Sequence, residues 1–256
     1  FSVWPVLRKF IQQSDAIICV SRAQRDLLVK RDPSFKEKIR IIYNPLPNLS
    51  PVPINGDDFG YFGGQSYLKG FYVLLKALLF MKSRGFKPVT MHGTKFSSLI
   101  ESSAYFESFG FNVYGKLNIS EYESVYRKIK AVIVPSIWHE PFGYVVAEAI
   151  LRDKVVIASN IGGIPELVYG CKGVFLFDAG DSMQLAERMR YVSGLSRESV
   201  TDLCEGNREL FLRRFSNREI LQNFIGLCYN MTIDDHYIQK FDFRKESTRN
   251  LDKNAA

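Results

Sequence analysis

AVIVPSIWHEPFGYVVAEAILR, residues 131–152, reads as a strand, a short polar loop and a helix. The apolar run 131–134 suits a strand buried in a parallel sheet. Pro135 and Ser136 end it, and residues 137–140 form the loop. Pro141 fits the first helical turn, where its missing N–H costs nothing, and residues 142–151 continue as helix. Glu148 falls on that helix among Val145, Val146, Ala147, Ala149 and Ile150. A carboxylate buried there is expensive without a partner. A sugar or ribose suits it, because a carboxylate accepts two hydroxyl hydrogen bonds at once. The free N–H groups and positive dipole end of the helix suit a phosphate.

Working outward, strands and helices alternate. Residues 59–62 read as a strand running into Gly63-Gly64, then a loop over 65–69. A helix follows with Leu74, Leu75, Leu78 and Leu79 on its apolar face. Strand, glycine turn and helix bring backbone close to a phosphate, although turns use glycine routinely. Residues 88–93 and 111–114 read as strands, with a helix rich in Phe and Tyr over 99–109. Residues 121–130 read as a helix capped by Asn118 or Ser120. Beyond the opening stretch come a strand over 154–158, the Gly162-Gly163 turn, and a short helical piece begun by Glu166, a favourable charge at a helix start. A strand over 173–177 follows, then helices over 182–192, 197–214 and 217–229. Asp181 or Ser182 starts the first of these. Upstream, 1–14 reads as an amphipathic helix, 16–20 as a strand, 22–30 as a helix capped by Ser21, and 39–43 as a strand. Residues 45–58 hold four of the ten prolines and read as a linker. The alternation predicts a parallel sheet covered on both faces. Ligands of such sheets sit at the carboxyl ends of the strands, and Gly63, Gly64, Gly93, Gly115 and Glu140 all fall at those ends. His92 reads as a satisfied structural histidine.

The segment EPFGYVVAE, Glu140 to Glu148, resembles the E-x7-E motif of family 4 glycosyltransferases, in the setting PS-x-x-x-E-x-F-G-x-x-x-x-E-A. GGIPE, Gly162 to Glu166, follows at that family's spacing, and the resemblance covers roughly residues 15–230. It implies an α/β fold of the GT-B type: a Rossmann-like parallel sheet with helices on both faces, the first lobe incomplete. Residues 1–50 would be the remnant of an N-terminal acceptor lobe and 51–58 the interlobe linker. Residues 59–214 would be the nucleotide-sugar-binding lobe, 215–230 a crossover helix and 231–256 a polar tail. The implied function is a retaining transfer of a hexose from a nucleotide diphosphate sugar to a glycan, lipid or other acceptor hydroxyl, with no cofactor and no metal. The implied catalytic residues are Glu140, which would orient the sugar, and Lys69, which would hold the diphosphate. The implied donor-binding residues are Glu148 for the ribose, with Gly63, Gly64, Gln65, Lys116, Leu117, Phe142, Gly143 and Tyr144. The family's phosphate loop reads G-R-L-x-x-x-K-G. Lys69-Gly70 match it, but Gly64 and Gln65 stand where the Arg would be. On the residues alone, Lys116 is equally a solvated surface charge, and Glu140 equally a carboxylate capping its own helix.

Composition bounds the alternatives. The net charge of +7 is concentrated at the front: residues 1–50 carry nine Lys/Arg and four Asp/Glu. That is a solvated basic face or an attraction to an anionic partner, with a peripheral membrane contact ranked above nucleic acid. Four scattered cysteines without C-x-x-C spacing argue against a zinc site and a disulfide framework, and point to a reducing, cytoplasmic setting with membrane association left open. No apolar run is long enough for a membrane span, no secretory leader is visible, and the start at Phe1 reads as a fragment. A second reading is a nucleotide-sugar-binding module lacking most of the acceptor lobe.

Overall fold

The computed structural model describes residues 4–94, 110–114 and 118–231. Six strands form one parallel sheet: β3 (Asp58–Tyr61), β4 (Met91–Thr94), β5 (Phe111–Tyr114), β6 (Ile129–Val134), β7 (Val155–Ser159) and β8 (Val174–Phe177). Their order is β5-β4-β3-β6-β7-β8. The chain grows outward from β3 to one edge, returns to the middle at β6, and grows to the other edge. The switch point therefore lies between β3 and β6, where doubly wound sheets open a crevice for ligand.

Alternation along the strands builds two cores, because successive side chains point to opposite faces. Ala131, Ile133, Val155 and Ile157 join Leu74, Ala77 and Met81 of α3 (Phe71–Ser83) on one face. Val132, Val134, Val156 and Ala158 join Val146, Ala147, Ile150 and Leu151 of the helix Tyr144–Leu151 on the other. Each fully buried Val, Leu or Ile contributes about 1.5–3 kcal/mol relative to exposure, so the central strands and these two helices carry most of the fold. Residues upstream make a smaller unit. α1 (Trp4–Gln13), α2 (Arg22–Arg31) and the parallel pair β1 (Ile17–Cys19) and β2 (Ile39–Ile41) enclose Cys19, Phe35 and Ile39.

The predicted fold class is the observed one, with local corrections. Strand β6 begins at Ile129 rather than 131. Lys130 looked like a boundary, yet it is 1% exposed: its stem is buried and its ammonium donates to the carbonyls of Ser193 and Leu195 at 3.1 and 3.0 Å. The helix after the opening loop starts at Tyr144, not 142, and Pro141 lies in the loop, because Gly143 turns the chain with φ 100 as the N-cap. Leu79, placed on the apolar face of α3, is exposed, and Phe71, Ala77 and Met81 take that face with Leu74 and Leu78. The helical stretch 197–214 divides into Arg197–Cys204 and Asn207–Arg214. Asn118 is the N-cap of Ile119–Lys128, in a capping box with Glu121. Ser21 caps α2 by accepting from the Gln24 N–H. His92 is buried with Nε2 2.7 Å from Asp58 Oδ2, the satisfied histidine expected. The expected helix over 99–109 and the residues beyond 231 lie outside the described residues.

The proline-rich stretch after β2 is strapped down. Asn217 accepts from the Leu46 N–H and donates to its carbonyl, Arg208 donates to Leu49 O, and Lys154 donates to Val52 O at 2.7 Å. Burial lowers the Lys154 pKa to about 8.

One backbone position is costly. Asp153 follows the helix Tyr144–Leu151 with φ 55, a left-handed conformation in which glycine is the usual residue. Its burial and the neighbouring Glu209 raise its pKa, against Arg208 and Lys154. Asp153→Gly is expected to stabilise the chain by about 0.5–1 kcal/mol in urea unfolding; a destabilisation would show that the Asp153 carboxylate offsets the strain.

Candidate functional site

A cavity of about 340 Å³ opens at the β3–β6 switch point. Gly63 and Lys69 reach it from the loop after β3, and Ser136 and Glu140 from the loop after β6. Phe142, Gly143 and Tyr144 close it at the start of the following helix. Two parallel strands of different sequence position thus aim their C-terminal loops at one space, as this topology dictates.

Glu140 is 7% exposed, and a carboxylate so buried needs compensation. It receives Lys69 Nζ at 2.5 Å and the Ser136 hydroxyl at 2.8 Å, both on Oε1. The carboxylate thus points across the cavity to the glycine loop, and the reading of Glu140 as a cap on its own helix does not hold. Lys69 is half-exposed and also faces the Trp138 ring at 5.4 Å. The two loops are tied by backbone as well, Ile137 N–H donating to Leu68 O at 3.0 Å. Tyr61 is buried beneath them and donates its hydroxyl to Gly64 O at 2.8 Å; burial pushes its pKa well up, so the phenol stays neutral.

Gly143 has no side chain with which to cap the helix, so the helix start, which lines the cavity through Gly143, Tyr144 and Val145, makes no side-chain cap hydrogen bond among the described residues. Phe142 is mostly core, its ring edge-on to Phe215 and Tyr144. The Tyr144 hydroxyl donates to Pro45 O at 3.2 Å.

The structure does not bring every expected residue to this wall. Glu148 sits one turn further along the helix, outside the cavity lining, and is not fully buried: its side chain is 28% exposed. The partner inferred from its apolar neighbours is supplied in part by the protein, since Arg152 Nη1 lies 3.8 Å from its Oε2. Burial raises the Glu148 pKa and Arg152 lowers it. Gly64 and Gln65 also lie off the cavity lining, and Gln65 Nε2 is buried without a hydrogen-bond partner among the described residues. Lys116 and Leu117 lie outside the described residues. Sequence reasoning took Ser136 only as a strand stop and passed over Arg152; both follow apolar segments, and nothing in their type marked them.

The Gly162-Gly163 turn seats the Glu140 loop. A Cβ on Gly163 would come 2.4 Å from Pro141 O, and the Gly163 N–H donates to Glu140 O at 2.7 Å. Glu166, expected as a helix-start charge, reaches further. It accepts the Tyr43 hydroxyl at 2.6 Å and the Arg22 N–H at 2.8 Å, joining the first 43 residues to the turn that holds Glu140. Each charged hydrogen bond of this kind contributes about 1.5–3 kcal/mol. Glu166→Ala is therefore expected to speed amide exchange in residues 17–43 by at least about tenfold while β6 and β7 keep their protection; unchanged exchange upstream would remove the link.

The basic front is largely engaged within the chain. Arg8 pairs with Asp32, Arg25 with Asp26 and Arg22 with Glu166, Arg31 stacks on Trp4, and Lys38 and Arg40 donate to backbone carbonyls. No helix among the described residues is long and apolar enough to cross a membrane.

The architecture is a Rossmann-like lobe of the GT-B glycosyltransferase type. It superposes on Anabaena HepE in complex with UDP and glucose with a TM-score of 0.68 at 22% identity, covering 84% of this chain and 63% of that one. It also superposes on the sucrose-phosphate synthase of Thermosynechococcus elongatus with a TM-score of 0.70 at 20% identity, covering 89% and 61%. Residues 93–208 match the family described as Glycosyl transferases group 1. The chain is 28% identical over 206 residues to the uncharacterized glycosyltransferase MJ1178 of Methanocaldococcus jannaschii, covering 79% of this chain and 56% of that protein. It is 25% identical over 170 residues to an uncharacterized 42.6 kDa protein in the cps region of Klebsiella pneumoniae, covering 65% and 44%. The chain spans about half the length of these curated relatives, 44% and 56%.

Proposed function

We propose that this chain holds a nucleotide diphosphate sugar at the β3–β6 switch point and serves a retaining hexosyl transfer of the family 4 kind. The observation that carries the reading is the meeting of Lys69 and Glu140 across the cavity beside the uncapped start of the helix Tyr144–Leu151. A diphosphate placed there would meet the Lys69 ammonium and the helix N–H groups, which offset the charge that gathers on the leaving group as the glycosidic bond breaks. Lys69, drawn to the phosphate, would release Glu140 to accept hydrogen bonds from the sugar hydroxyls and fix the anomeric carbon. Glu148, one turn along, would take the ribose hydroxyls. The charge is met in this reading without a metal or a cofactor.

The HepE structures were obtained with UDP and with UDP and glucose, which makes a uridine donor a reasonable first probe. Glu148→Gln is expected to weaken donor binding by about 1–3 kcal/mol in calorimetry, the range of a charged hydrogen bond. Unchanged affinity would reject the ribose assignment.

One observation favours a second reading, donor binding without transfer. Gly64 and Gln65 stand where the resembling family has a phosphate-gripping Arg, and neither lines the cavity. Calorimetry alongside assays of donor hydrolysis and transfer, on this chain and on a longer version covering the relatives' full length, separates the two. Binding without turnover in both proteins would decide for the module.

A further inference from the structure

Arg152 is the residue outside the cavity that the proposed chemistry leaves unexplained. It follows the last turn of the helix Tyr144–Leu151, its N–H donating to the Glu148 and Ala149 carbonyls at 3.1 and 3.2 Å. It is 5% exposed, an uncommon burial for an arginine. Its guanidinium lies over the Tyr126 ring at 4.5 Å and the Tyr122 ring at 5.6 Å, both from the helix Ile119–Lys128. Phe62, which lines the cavity after β3, stacks on Tyr126 at 5.3 Å, so the stack extends to the cavity wall.

The distances define an unusual ion pair. Arg152 Nη1 lies 3.8 Å from Glu148 Oε2, close enough for strong attraction in a partly dry site but too far for a hydrogen bond. That Nη1 is buried with no hydrogen-bond partner among the described residues, and no hydrogen bond to the Glu148 carboxylate occurs among them either. An arginine whose role was to lock a carboxylate would close to a bidentate contact and fill its lone pairs. This one supplies charge and leaves the lone pairs open.

We propose that Arg152 is a positioning residue that keeps Glu148 ionised without occupying its acceptor oxygens, so that the carboxylate meets the donor's vicinal hydroxyls charged and free to accept both. This rests on the reading of Glu148 as the ribose partner. Among the described residues the titratable and charged groups facing Glu148 are Arg152, Tyr122 and Tyr126. Burial and the Glu148 charge both raise the tyrosines' pKa, Tyr122 to about 12, so they stay neutral and offer Glu148 no compensating charge. Arg152 alone opposes the burial that raises the Glu148 pKa. Removing Arg152 lets that pKa rise further, so the charged form is lost at higher pH on acidification, and the acceptor sites of one oxygen with it.

The test is donor affinity as a function of pH, a readout that mere packing would not move. UDP-glucose, ADP-glucose and GDP-mannose are titrated first, since their phosphodiester groups do not ionise in the range used, and the tightest is carried forward. Between about pH 8 and about pH 5.5 the wild type is expected to lose less than about threefold in affinity, and Arg152→Met about three- to sevenfold more than the wild type, the excess that a pKa raised by about one produces when the wild-type carboxylate protonates only in part. Arg152→Lys retains the charge and is expected to follow the wild type. Glu148→Gln and Glu148→Gln/Arg152→Met are expected to share one flat profile, because nothing there remains to ionise. An Arg152→Met profile parallel to the wild type overturns the proposal. If Glu148→Gln binds as tightly as wild type, or none of the three donors binds, the ribose reading itself fails and the proposal with it. If Arg152→Met does not fold, the double variant should, because its neutral amide in place of the Glu148 carboxylate removes the uncompensated charge; failure of both to fold assigns Arg152 a purely structural role and overturns the proposal.

Discussion

Lys69→Ala is expected to lower sugar transfer by about 10²–10³-fold, the cost of removing one preorganised group that stabilises developing charge. Lys69 enters from the loop after β3 and Glu140 from the loop after β6, and the sheet order brings these loops together although they are 71 residues apart. In the variant, Glu140 keeps only the Ser136 hydroxyl, and a 7% exposed carboxylate loses its counter-charge. The diphosphate then faces a negative wall rather than a neutral pair. Both donor affinity and turnover should therefore fall, with the larger loss in kcat, where the leaving-group charge develops. Lys69→Arg retains charge but replaces a compact ammonium by a planar fork, and should recover affinity more than rate. Rates are measured on the longer protein with saturating acceptor, and affinities on this chain by calorimetry. A Lys69→Ala rate within about threefold of wild type would remove Lys69 from the chemistry.

The same pair shows where reading the residues succeeds and stops. The strands were legible because residues 131–134, 154–158 and 173–177 are short apolar runs between turn residues, and their spacing by helices implies parallel pairing. Glu140, Lys69 and the glycines were legible as candidates because they fall just past those runs. Their mutual distance was not, because it depends on which strand lies beside which: β3 pairs with β6, with β4 and β5 between them in the chain. Glu148 was legible as a conflict, a carboxylate in an apolar segment, but not in its resolution. Arg152 lies one helical turn on, at i,i+4, and its burial comes from two tyrosines on another helix. Lys130 and Lys154 were misjudged or ignored for a related reason. A lysine reads as surface, yet both bury their stems and reach carbonyls from other elements, contacts that only tertiary structure creates. Pro141 failed differently. Two local signals competed for the helix start, proline at a first turn and glycine as a left-handed N-cap, and the glycine two residues later set the boundary.

Gly70→Ala is expected to destabilise the chain by about 3–5 kcal/mol and to remove donor binding with it. Gly70 is the N-cap of α3, with φ 77. A left-handed conformation alone costs a non-glycine residue about 1–2 kcal/mol. The larger part is contact: a Cβ at this position would lie 1.7 Å from Pro135 O. That oxygen is backbone of Pro135, the residue just after β6, so neither partner can yield by rotating a side chain. Relief requires α3 to withdraw from the end of β6, which breaks the Ile137–Leu68 hydrogen bond and separates Lys69 from Glu140. Fold and site therefore fail through one contact. Gly64→Ala isolates the conformational part, since Gly64 has φ 62 with nothing within 4 Å of the added Cβ. It should cost only about 1–2 kcal/mol. Urea unfolding of both variants gives the two energies, and the gap between them measures the close approach of α3 to the Glu140 loop. Equal losses would mean that α3 withdraws at no cost, and that the meeting of Lys69 and Glu140 is not enforced by the packing of the glycine loop against β6.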